Sequence, residues 1–155
     1  PTNPNVTPTI AGRTIKAPNA AVAAGLAAGF NSLGLPYVWG GGGSGAGPNN
    51  GCARGGGDYN SCGTTIGFDC SGLTMMAWGS VGVSLPHSSR RQFSRGRSVA
   101  KSDLQSGDLV FFYSDISHVG LYAGNGQVIH APRPGKSVEY IKMSYMPYAG
   151  ARRPG

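Results

Sequence analysis

The chain has 155 residues, room for one domain of ordinary size, and its 27 Gly and 11 Pro follow no G-X-Y period, which excludes a collagen-like rod. Hydrophobic residues make up 39% and charged residues only 12%, so a core can form and a charge-rich disordered chain is excluded, while no apolar run reaches the ~18 residues of a membrane span. The formal charge is +7, from 13 Lys and Arg against 6 Asp and Glu, which suits anionic partners as well as plain solubility.

Residues 1–18 (PTNPNVTPTIAGRTIKAP) are rich in Pro, Thr and Asn and read as a linker or extended arm, not a core element. They lack an initiating Met and any leader pattern, so the sequence reads as a mature or excised piece of something longer. Residues 19–155 are expected to form the domain. The stretch 19–33 predicts a first helix: Asn19 is placed to cap it, and Val22, Leu26, Phe30 and Leu33 recur on one face. Gly34 and Pro36 end it. Residues 40–67 are a long glycine-rich segment, either functional or disordered. A second helix is predicted over 70–81, with Leu73, Met76, Ala77 and Val81 on one stripe, and a short polar helix over 87–94.

From residue 104 the pattern turns to strands: 108–113, 118–122, 127–131 and 138–141. Helices first and an antiparallel sheet second make the class α+β. The basic residues Arg90, Arg91, Arg95, Arg97, Lys101, Arg152 and Arg153 form no long run and carry no aromatic interleaving, so a nucleic-acid partner is not expected. A metal site is not expected either, since no C-x₂₋₄-C pair exists.

Three cysteines leave a pair and a single thiol. Cys52 and Cys62, ten positions apart in the glycine-rich segment, are the natural disulfide, worth roughly 2–3 kcal/mol by chain entropy. The alternative is three reduced cysteines. Cys70 stands where a loop meets a helix, in Gly67-Phe68-Asp69-Cys70-Ser71-Gly72. There the free N–H groups and the helix dipole favour the thiolate and can hold an oxyanion. Alone this is also the signature of a buried structural cysteine.

The three histidines are His87, His118 and His130. A three-residue Gly124-Asn125-Gly126 loop pairs Leu121 with Ile129 and puts His118 and His130 on one face, a diagonal step apart; a strict two-residue Asn125-Gly126 loop puts them on opposite faces. The Gly-Asn-Gly sequence favours the three-residue loop. Cys70, His118 and His130 then make a nucleophile, base and orienter, the alternative being two unrelated strand histidines. His87 reads as a capping or surface residue.

At these residues the chain resembles a known family. Pro36-Tyr37-Val38-Trp39-Gly40-Gly41, Phe68-Asp69-Cys70-Ser71-Gly72-Leu73, Ser106-Gly107-Asp108-Leu109-Val110-Phe111-Phe112, His118-Val119-Gly120-Leu121-Tyr122 and Val128-Ile129-His130-Ala131 look like the NlpC family of papain-like bacterial cell-wall endopeptidases, in order, over roughly residues 20–145. The resemblance implies a papain-like fold without cofactor and a catalytic triad of Cys70, His118 and His130. It implies Tyr37, with the N–H of Cys70, at the oxyanion. It places Asp69 and Ser71 beside the cleft, and Ser88 and Ser89 on its substrate side. The implied substrate is a peptidoglycan stem peptide, cut between the γ-carboxyl of D-Glu and the next diamino acid, by an extracytoplasmic monomer. An inactive wall-binding module and a related thiol amidase or acyltransferase are the alternatives. Two departures stand out. The segment before Phe68 is longer than the family's, and His87 stands where relatives often carry Arg. Arg90 and Arg91 are placed to meet a substrate carboxylate, although a solvated helix face is the plainer reading.

Overall fold

The computed structural model describes residues 9–10, 13–42, 48–49 and 65–155. Two helices pack on one face of a six-stranded, wholly antiparallel sheet, an α+β arrangement. Strands β1 (Thr9–Ile10) and β2 (Arg13–Thr14) form a separate small hairpin. The large sheet comprises β3 (Arg97–Ser98), β4 (Leu109–Phe112), β5 (His118–Gly124), β6 (Gln127–His130), β7 (Glu139–Lys142) and β8 (Tyr148–Arg153) in the order β3-β8-β4-β5-β6-β7.

Helix α1 (Ala20–Phe30) begins as its sequence dictates: the side-chain oxygen of Asn19 accepts from the N–H of Val22 at 2.9 Å. It stops short of the predicted Leu33, because Ser32 and Leu33 turn back on Gly29 and Phe30. Helix α2 (Cys70–Gly79) is capped by Asp69 and crosses α1 closely, since a side chain at Gly25 would sit 3.1 Å from the carbonyl oxygen of Ala77. Helix α3 is one turn, Ser89–Gln92. The sequence suggested a start at His87, but the hydroxyl of Ser88 takes the cap position.

The head of α2 rests on the loop around Gly41. A Cβ at Gly72 would fall 1.9 Å from the carbonyl oxygen of Gly41, so only glycine permits the approach. Gly41 in turn accepts from the N–H of Asp69. The core between helices and sheet holds Leu26, Phe30, Phe68, Leu73, Leu109, Phe111, Val119, Leu121 and Ile129. Ile15 and Ala17 are buried in it too, so two residues of the stretch expected to be a linker belong to the core. Val110, Phe112 and Val128 pack on the opposite face of the sheet.

Within the large sheet two strands were not foreseen, β3 and β8, and neither was the β1–β2 hairpin in the stretch expected to be a linker. The sequence of β8 (YAGARR) has no apolar alternation, and only Ala151 in it is buried. It is a strand because β4 and β3 pair with it on either side, and because Arg153 forms an ion pair at 2.8 Å with the buried carboxylate of Asp108.

The β5–β6 turn corrects the expected loop and keeps its consequence. Gly124 pairs with Gln127, so the turn has two residues, Asn125 and Gly126, both left-handed. A bulge follows, because Tyr122 pairs with Val128 and Leu121 with Ile129. The one extra residue in β5 restores the register that a three-residue loop would have given, so His118 and His130 share a face.

Candidate active site

Cys70 is the first residue of α2, and its thiol is free of any crosslink. Asp69 fixes that end of the helix. Its Oδ1 accepts from the N–H of Gly72 at 2.7 Å and meets His87 Nε2 at 2.8 Å, while Oδ2 accepts from the N–H of Gly40 at 3.0 Å. His87 therefore belongs to the support of the helix head and not to the open surface. Ser71 is buried, and its hydroxyl leans toward Asp69 at 3.4 Å.

The backbone N–H groups of Val119, Ser71 and Cys70 favour ionisation of the sulfur. Val119 is the second residue of β5, so the thiol borders the start of the strand that His118 opens. Burial, followed by the charge of Asp69, outweighs these groups and pushes the thiol up to about 11. The low thiol pKa expected at a helix start is thus not what the site gives. The dipole is present and burial overrides it.

Alternation along β5, β6 and β7 puts His118, His130 and Glu139 on the face that carries Phe112 and Val128. The His118 ring lies 5.8 Å from the Phe112 ring and is only 6% exposed. Its Nε2 meets His130 Nδ1 at 2.7 Å, and His130 Nε2 meets Glu139 Oε2 at 3.0 Å. Burial, helped by the neighbouring His130, pulls His118 down to about 3. Burial also lowers His130, against an opposing pull from Glu139. Thiol and imidazole are therefore both neutral across the middle of the pH scale.

Tyr37 bridges to Phe68 and donates its backbone N–H to the carbonyl of Lys136. Its hydroxyl is held above its ordinary pKa by burial and then by Cys70 and Asp69, so it remains a donor near the sulfur. Ser88 accepts from the N–H of Arg91, Ser89 donates to the carbonyl of Ile116 at 2.7 Å, and Arg90 reaches the Asp115 carbonyl and carboxylate. Those are the contacts of the residues expected on the substrate side. Cys52 and Cys62 lie outside the described residues.

Sequence reasoning missed two residues here. Gln92 is fully buried; it donates to the carbonyls of Ser71 and Pro86 and accepts from Thr74, joining α3 to the first turn of α2. Glu139 sits directly across from His130 in the β6–β7 register. Its one signal was scarcity, since it is the only Glu in the chain.

The profile of the NlpC/P60 family matches residues 34–152. The peptidoglycan endopeptidase RipA of Mycobacterium tuberculosis is 42% identical over 111 residues, 71% of this chain and 22% of RipA. The chain thus spans about a fifth of that relative's length. The structure of the peptidoglycan hydrolase RipB of M. tuberculosis superposes with a TM-score of 0.71 at 36% identity, covering 86% of this chain and 64% of the solved RipB chain. That of RipD from the same organism, a non-catalytic NlpC/p60 domain protein adapted to peptidoglycan binding, gives 0.70 at 30% identity, over 87% of this chain and 98% of the solved RipD chain. Among the described residues no helix is long and apolar enough to cross a membrane.

Proposed function

The chain belongs to the NlpC/P60 family, and from that premise we propose that it is an extracytoplasmic cysteine peptidase that hydrolyses peptidoglycan stem peptides. The bond cut is that between the γ-carboxyl of D-Glu and the next diamino acid. Cys70 is the nucleophile, His118 the base, and His130 the residue that orients it. One arrangement supports the reading: a free thiol at the head of α2, whose ionisation is favoured by the N–H of Val119, the residue that follows His118 at the start of β5. The second nitrogen of His118 is already engaged by His130, leaving Nδ1 for the thiol.

In the first half-reaction the Sγ–C bond forms as the thiol proton passes to Nδ1 of His118. The carbonyl electron pair moves onto oxygen, held by the N–H of Cys70 and the hydroxyl of Tyr37. The tetrahedral adduct collapses, the C–N bond breaks, and the amine leaves with the proton from His118. A water molecule, losing its proton to Nδ1, then attacks the thioester and releases the γ-carboxyl and the thiol. The resting pair being neutral, the proton moves during attack and not before it. The +7 charge favours approach to an anionic wall.

The test is digestion of defined muropeptides with mass readout, wild type beside Cys70→Ala. The wild type should yield a new amine on the diamino acid and a new γ-carboxyl on glutamate. The variant should keep its near-ultraviolet circular dichroism and lose at least about 10³-fold in rate. Equal activity in the variant ends the proposal. Binding to wall without released peptide in the wild type would make the domain a binding module, and transfer of the acyl group to an amine would make it a transferase.

A further inference from the structure

Building on His118 as the base, we propose that Glu139 is a positioning residue that selects the productive tautomer of His118 through His130. The three side chains form one hydrogen-bonded line: His118 Nε2 to His130 Nδ1 at 2.7 Å, and His130 Nε2 to Glu139 Oε2 at 3.0 Å. A carboxylate can only accept. The proton of neutral His130 is therefore drawn to Nε2, facing Glu139. That leaves Nδ1 of His130 as an acceptor, so His118 must donate through its own Nε2. Nδ1 of His118 is then bare, and it is the nitrogen that takes the thiol proton.

The opposite arrangement disables the site. With its proton on Nδ1, His130 would donate to His118 Nε2. A neutral His118 would then carry its proton on Nδ1, and that nitrogen would have no lone pair for the thiol. The same arrangement would set the bare Nε2 of His130 against a carboxylate oxygen at 3.0 Å, two acceptors face to face. His130 is only 2% exposed and cannot turn to water for another partner. Glu139 is built into this place by strand pairing, since it lies directly opposite His130 in β7. Its side chain is 40% exposed, so water can reach its position once the carboxylate is removed. Water both donates and accepts, and it therefore chooses neither tautomer.

The experiment combines kinetics on defined muropeptides with long-range ¹⁵N–¹H NMR of the histidine rings. The chain has three histidines, and a His87→Gln sample assigns the remaining two rings. In the wild type both His118 and His130 should carry their proton on Nε2. Glu139→Ala should show a mixture of tautomers at both rings, with kcat lowered about 10- to 100-fold and KM nearly unchanged. Glu139→Gln, whose amide oxygen still accepts from His130, should keep the wild-type tautomers and most of kcat. Unchanged tautomers and kcat in Glu139→Ala, with Cys70→Ala inactive, would overturn this role and leave the peptidase reading standing. An active Cys70→Ala would instead remove the peptidase reading itself, whatever the rings show.

Discussion

Two influences compete at the Cys70 thiol. The helix head and the N–H of Val119 favour the anion, an effect of about 0.3–1 kcal/mol for a terminal dipole. Burial, with Asp69 beside it, favours the neutral form, and burial alone can shift a group by up to about 3–5 pKa units. Burial wins, and the thiol stands at about 11. Alkylation of Cys70 by iodoacetamide should therefore keep accelerating from pH 7 to pH 10, close to tenfold per unit, as the thiolate fraction grows. A rate already level at neutral pH would show a preformed thiolate. The sequence marked the cysteine and both histidines, because a helix start and a Gly-Asn-Gly turn are local signals. It did not show that burial would outweigh the helix end, because the thiol becomes half-buried only once α2 packs on the sheet. Nor did it show Glu139 beside His130, because that contact needs the β6–β7 register across an eight-residue connection from 131 to 138.

At the scale of elements, α3 serves as a brace. The loop from Tyr113 to Ser117 delivers His118 to β5, and two of its residues, Tyr113 and Ile116, have positive φ (69° and 57°). For a β-branched residue such as Ile116 that is a strained conformation, kept only where surrounding contacts impose it. Ser89 donates to the carbonyl of Ile116, and Arg90 donates to that of Asp115. Ser89→Ala should cost about 1–2 kcal/mol of stability and, by freeing the loop ahead of His118, lower kcat about tenfold. Urea unfolding and muropeptide kinetics measure the two effects, and a variant with unaltered kcat would show that the brace does not bear on the base. The one-turn α3 was visible in outline from its polar sequence after Pro86. The helices α1 and α2 were visible from their apolar spacing. β3 and β8 were hidden, because their residues become strands only through partners far away in the chain.

At the scale of the whole molecule, the neutral pair sets a pH window for folding. His118 is held at about 3 in the fold against an ordinary 6.5, so between those values the unfolded chain binds the extra proton and the fold loses stability as pH drops. Cys70 is held at about 11 against 9.0, so its contribution is present below pH 9 and is lost as pH rises through 11. Urea midpoints measured from pH 3 to 11 should trace both limbs. His118→Gln should flatten the acid limb and Cys70→Ala the alkaline one, and an acid limb unchanged in His118→Gln would place its origin elsewhere. One feature of the sheet reaches beyond equilibrium. β8 follows every other strand in sequence yet lies between β3 and β4. A nascent polypeptide halted at residue 147 would already contain Cys70, His118 and His130, with β4 left as a raw edge. Under the proposed reading, the strand that carries the base thus keeps an unfinished neighbour until β8 has closed the gap between β3 and β4.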